Sequence, residues 1–115
     1  MKEDTFTLYQ IKTGPDFTRF RFMNMDWLRR NGETVRPERY EQTYTATLDS
    51  SASDQEALEE IFCRLNERRY DDYDGPSMSV SDVVVLSRAG KKSAWYCDSV
   101  GFEEVPEFLE GYHHA

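Results

Sequence analysis

Ser-Asp-Gln-Glu-Ala-Leu-Glu-Glu-Ile-Phe-Cys-Arg-Leu-Asn-Glu-Arg-Arg, residues 53–69, is the stretch from which the fold is read. Leu58, Ile61, Phe62 and Leu65 stand at i, i+3, i+4 and i+7, so a 3.6-residue repeat gathers them into one apolar stripe. Ser53 and Glu56 have the spacing of a capping box. Asp54 and Glu56 suit the positive end of a helix, while Arg64, Arg68 and Arg69 suit its negative end. Glu60 and Arg64 add an i,i+4 pair in the favourable orientation. The pattern predicts a helix over residues 54–68. Truncating Leu58 or Phe62 to Ala is expected to cost about 2–5 kcal/mol if the whole stripe is buried.

Such a stripe needs an apolar surface to cover, and the flanking sequence supplies strands. Residues 40–48 alternate strictly, with Tyr40, Gln42, Tyr44, Ala46 and Leu48 on one face and Glu41, Thr43, Thr45 and Thr47 on the other. Val83-Val84-Val85-Leu86 is the strongest strand core on the far side of the helix. Arg88-Ala89-Gly90-Lys91 reads as a hairpin connection to a returning strand over 93–98, with Trp95 and Cys97 facing away from Ala94 and Tyr96. Phe6, Leu8 and Ile11 mark an N-terminal strand over 5–12, stopped by Thr13-Gly14-Pro15-Asp16. A short helix is expected over 24–30, ending at Asn31-Gly32, and another over 105–112. Residues 17–22 read as either extended or helical. The expectation is a single α+β domain over 1–115: a small antiparallel sheet of about four strands, one main helix packed on a face, and short additional helices.

Composition is consistent with a folded domain. The 115 residues include seven Phe, seven Tyr and two Trp, enough aromatic surface for a core. No apolar run reaches the roughly 18–20 residues of a membrane helix, and the N-terminus has no signal-peptide pattern. A cytoplasmic location without membrane contact is therefore expected. Two cysteines, Cys63 and Cys97, make no disulfide framework and no metal-ligand spacing.

The formal charge of −8 is unevenly distributed. Residues 41–75 hold ten acids against three basic residues, whereas residues 1–40 hold eight basic residues against six acids. A global nucleic-acid footprint is thus absent, and direct nucleic-acid binding is not expected. Glu56, Glu60 and Glu67 fall on the solvent side of the main helix. Tyr70, Asp71, Asp72, Tyr73 and Asp74 continue the acidic run beyond its end. These eight residues form the candidate protein-binding surface, suited to a basic groove. Read without function, they are an ordinary solvated face and loop. Asp71, Asp72 and Asp74 lack the bidentate Glu of an EF-hand. Arg19, Arg21, Arg29, Arg30, Arg36 and Arg39 could bind phosphates, but the simpler expectation is that they pair with the acidic middle of the same chain, or across a homodimer.

Catalytic groups are sparse. His113 and His114 lie at the chain end, where an ordered second shell is rare. Neither cysteine has a visible base or electropositive setting. Ser77, Ser79 and Ser81 share one face of an extended segment. They read as a strand entry in which hydroxyls and Asp82 satisfy nearby backbone, or as a polar, phosphate-contacting groove. Gly75-Pro76 lacks the Gly-x-Gly or Lys of a phosphate loop. No catalytic residue, metal or cofactor is expected.

Asp74-Gly75-Pro76-Ser77-Met78-Ser79-Val80-Ser81-Asp82-Val83-Val84-Val85-Leu86, followed by Trp95-Tyr96-Cys97-Asp98-Ser99-Val100-Gly101-Phe102, resembles the YodL-like domain family of Firmicutes. Tyr9-Gln10-Ile11-Lys12, Arg21-Phe22-Met23, Tyr40 with Tyr44, and Ile61-Phe62-Cys63-Arg64-Leu65-Asn66 extend the resemblance over about residues 5–108. The resemblance implies a domain without enzymatic activity or cofactor, and with no family active site to carry over. Cys97 stands where the family more often has Val. Similar domains recur in large proteins of plasmids and integrative elements beside anti-restriction genes, and the Bacillus protein that names the family is linked to cell shape through actin-like filament proteins. Two expectations follow. One is a mobile-element inhibitor that binds the basic surface of a CRISPR or restriction nuclease. The other is a cytoplasmic regulator of an actin-like cytoskeletal protein.

Overall fold

The structure, a computed structural model, describes residues 4–48, 53–66, 73 and 75–113, with side chains as far as residue 110. Five antiparallel strands form one sheet: β1 (Thr5–Ile11), β2 (Tyr40–Thr47), β3 (Val83–Arg88), β4 (Lys91–Cys97) and β5 (Phe102–Glu104). Their order across the sheet is β2-β1-β3-β4-β5. Among the described residues, three α-helices complete the α+β fold: α1 (Met25–Arg30), α2 (Asp54–Asn66) and α3 (Pro106–His113). The fifth strand exceeds the four read from sequence. It has three residues, too few to establish a period of two, and follows the turn in which Asp98 N–H donates to Gly101 O at 3.0 Å.

β3 is central, and Val83, Val84, Val85 and Leu86 are all buried because both faces of the sheet are covered. On one side, Val84 and Leu86 join Phe6, Leu8 and Cys97 beneath Leu58, Ile61 and Leu65 of α2. On the other, Val83 and Val85 join Ala94, Tyr96, Met25, Leu28, Val105 and Phe108. Phe108 of α3 meets Tyr9 and Tyr40 edge-on at 5.2 and 5.5 Å. The short helices are therefore a second covering layer.

Local chemistry sets the element ends. Ser53 Oγ accepts the Glu56 N–H at 3.2 Å, and its hydroxyl donates to the Glu56 carboxylate at 3.0 Å. Asn24 caps α1 by accepting the Trp27 N–H at 2.9 Å, and Gly32 follows its end at φ +66°. Ala89 (φ +51°) and Gly90 (φ +79°) turn the β3–β4 hairpin in the left-handed conformations of a tight two-residue loop. Within residues 17–22 the chain makes a 3₁₀ turn at Thr18–Phe20.

Three readings are corrected. The alternation of residues 40–48 breaks at a bulge: Leu8 pairs with Tyr44 but Tyr9 pairs with Gln42, leaving Thr43 extra. Tyr40 consequently enters the α3 side of the core while Tyr44 packs on the α2 side. The buried stripe of α2 is Ala57, Leu58, Ile61 and Leu65, and Phe62 is 39% exposed. Tyr73, placed by sequence on the acidic surface, is only 6% exposed. Its ring packs 5.0 Å from that of Tyr44, and its hydroxyl donates to Pro76 O. A Cβ on Gly75 would stand 3.0 Å from the Tyr73 ring, so the glycine permits this fold-back.

Candidate functional site

α2 turns Glu56, Glu59 and Glu60 to solvent, while its opposite side is anchored over β1 and β3. Glu56 also accepts a hydrogen bond from the Ser53 hydroxyl at the helix cap. Of the other candidate residues, Tyr73 belongs to the core. Glu67, Tyr70, Asp71, Asp72 and Asp74 lie outside the described residues.

The half-exposed ring of Phe62 borders a pocket of about 290 Å³ between α2 and the β4–β5 turn. Glu59, Asp98 and Phe102 line it as well. Asp98 Oδ1 accepts the N–H groups of Met25 at 3.1 Å and Ser99 at 2.8 Å, which holds this carboxylate in the wall. Two carboxylates with two phenyl rings suit a guanidinium or ammonium group, through charge-assisted hydrogen bonds and cation–π contact. Glu59 and Asp98 were not among the residues singled out from sequence. Their juxtaposition joins elements almost forty positions apart, a relation no local spacing encodes. Cys97 also lines the pocket, but burial first, and then Asp82 and Asp98, push its thiol up to about 12.

Among the described residues, the arginines of the first third pair with acids outside the middle of the chain. Glu33 receives both Arg19 (2.9 Å) and Arg39 (2.6 Å), Arg29 pairs with Glu103, Arg30 with Asp26, and Arg36 approaches Glu38 at 3.8 Å. Hydrogen bonding to Arg39 is the first cause holding the Glu33 carboxyl below its ordinary range. Partners close in sequence, or brought close by β5, win over the acidic middle of the chain. Among the described residues, none of these arginines forms an ion pair with an acid of 41–75. Of the acids of α2, Asp54 pairs with Arg88 at 2.8 Å, while Glu56, Glu59 and Glu60 are exposed.

The segment of alternating serines satisfies backbone, as the first of its two readings expects. Ser79 N–H donates to Asp82 Oδ2 at 3.0 Å, and Ser81 Oγ accepts the Phe22 N–H at 3.0 Å. Asn66, at the end of α2, grips Met78 by both backbone groups: its amide donates to Met78 O at 2.9 Å and its carbonyl accepts Met78 N–H at 2.7 Å.

A two-layered cover on a five-stranded antiparallel sheet, with an acidic helix face beside a small aromatic pocket, defines a compact α+β domain without a recognisable nucleophile–base pair among the described residues. The model of the YodL-like domain family matches residues 5–108, and the chain belongs to that family. No curated protein and no solved structure matches it. Among the described residues, no helix is long and apolar enough to cross a membrane.

Proposed function

We propose that this chain is a non-enzymatic protein-binding module that lays the outward face of α2 on a basic surface of a partner, and that the partner is a host defence nuclease of the CRISPR or restriction type. The observation that carries this reading is the exposed Phe62 ring set beside Glu59 and Asp98. Interfaces draw their affinity from a few aromatic and charged anchors, and an exposed ring ringed by carboxylates is such an anchor for an arginine or lysine. Nucleases carry basic channels that neutralise phosphates, and a row of carboxylates complements them. The acid run continues in sequence with Glu67, Asp71, Asp72 and Asp74.

The test is expression in a bacterium whose nuclease defence targets an incoming plasmid. Wild-type protein is expected to raise plasmid establishment, and a Glu56→Lys/Glu59→Lys/Glu60→Lys variant with an unchanged circular dichroism spectrum is expected not to. Altered cell shape without DNA protection would overturn the nuclease reading and identify the actin-like cytoskeletal partner instead.

A further inference from the structure

A second cleft, of about 400 Å³, opens where the approach to β3 meets the end of β1 and the turn at residues 21–22. Its volume lies within the roughly 300–1,000 Å³ of small-molecule sites. Asp82 lines it although only 5% of this residue is exposed. Asp82 Oδ2 accepts hydrogen bonds from Gln10 Nε2 at 3.1 Å and Ser79 N–H at 3.0 Å. Oδ1 accepts none from the described residues, and no described side-chain polar atom is both fully shielded and unpartnered. Oδ1 therefore opens to the cleft. Arg21 lines the same space, its guanidinium 5.2 Å from the centre of the Phe22 ring and in no ion pair with Asp82.

The walls are held in place. Ser81 (φ +89°) and Phe22 (φ +66°) both occupy the left-handed region that non-glycine residues avoid. The Phe22 N–H bond to Ser81 Oγ ties the two together, and the Tyr40 hydroxyl donates to Ser81 O at 2.6 Å. Phe22 nevertheless exposes 62% of its surface at the rim.

We propose that this cleft binds a small zwitterion of the α-amino-acid type, with its ammonium on Asp82 and its carboxylate on Arg21. A buried carboxylate with an uncommitted oxygen favours a charged donor, and a guanidinium favours a carboxylate. One cleft carries both charges without pairing them to each other. A lone anion would meet Asp82 and Glu41, and a lone cation would meet Arg21. The Phe22 ring offers an apolar face to the ligand's side chain. Burial pushes the Asp82 carboxyl up to about 6, against the pull of hydrogen bonds from Ser79 and Gln10 and the charge of Arg21. The other groups facing Asp82, namely Tyr40, Tyr96 and Cys97, are all pushed up by burial and stay neutral near pH 7. Ammonium binding thus requires the ionised Asp82 and weakens about tenfold at one pH unit below its midpoint.

The test is a two-dimensional amide NMR titration of the full chain that follows Phe22, Ser79 and Ser81. L-phenylalanine and glycine serve as zwitterions, and methylammonium and acetate as half-ligands. Saturable shifts are expected with L-phenylalanine, with at least tenfold weaker binding of either half-ligand. Asp82→Asn and Arg21→Gln are each expected to weaken binding tenfold or more, and lowering the pH to about 5 about tenfold. If Asp82→Asn does not fold, the Arg21→Gln and pH arms decide. Absence of saturable shifts with all twenty amino acids, equal binding of methylammonium, or unchanged binding in Arg21→Gln would overturn the proposal.

Discussion

Asp82 shows how a single side chain governs its surroundings. Its carboxyl is pushed up to about 6 mainly by burial, so between the ordinary carboxyl range and about pH 6 the folded state holds a proton that the unfolded chain has already released. This contribution to stability is full below the ordinary carboxyl range and is lost as pH rises through 6. Asparagine can accept the same two hydrogen bonds without carrying charge. Asp82→Asn is therefore expected to be more stable than wild type at neutral pH, with a difference that grows from acid to neutral by on the order of 2–3 kcal/mol. Urea unfolding of both proteins at several pH values checks this. Cys97 is the other perturbed residue beside a pocket. With its thiol pushed up to about 12, it is expected to resist iodoacetamide at about pH 8 in the folded protein and to react once the chain is unfolded, as peptide mass spectrometry would show. Neither property was legible in sequence, because both come from long-range burial. Tyr73 makes the same point: its acidic neighbours suggested exposure, but Tyr44 and Gly75 give its ring a place in the core.

At the scale of the element, α2 was legible because capping and amphipathicity are local properties, and the Ser53–Glu56 pair forms as its spacing predicts. The orientation of the stripe was less so. The apolar spacing omits Ala57 and includes Phe62, yet the helix turns Ala57 to the sheet and Phe62 outward. Leu58, 0% exposed, is expected to cost about 2–5 kcal/mol on truncation to Ala, whereas Phe62→Ala is expected to cost about 1 kcal/mol or less. Chemical denaturation of the two variants separates them, and equal costs would show Phe62 to be a core residue. The bulge at Thr43 escaped detection for the opposite reason. Strict alternation persists in the sequence through it, and only the partner strand reveals the extra residue.

For the whole molecule, the α+β class followed from one amphipathic helix and a few alternating or continuous β-rich runs. The second covering layer did not, because α1 and α3 are short and their apolar residues become a face only when the sheet gathers them. Charge was legible as a regional excess but not as a pattern of partners. The arginines of the first third are largely satisfied close to home and Asp54 takes Arg88, while Glu56 and Glu59 of α2 are exposed. That separation underlies the proposed docking face, and it implies that binding should weaken as salt is raised. The most direct measurement is cleavage of plasmid DNA by a purified CRISPR nuclease in the presence of wild-type protein or a folded Glu59→Lys/Phe62→Ala variant. Inhibition by wild type that falls at least tenfold in the variant and weakens at high salt is the result predicted. Equal inhibition by both proteins, or none by wild type, would contradict it.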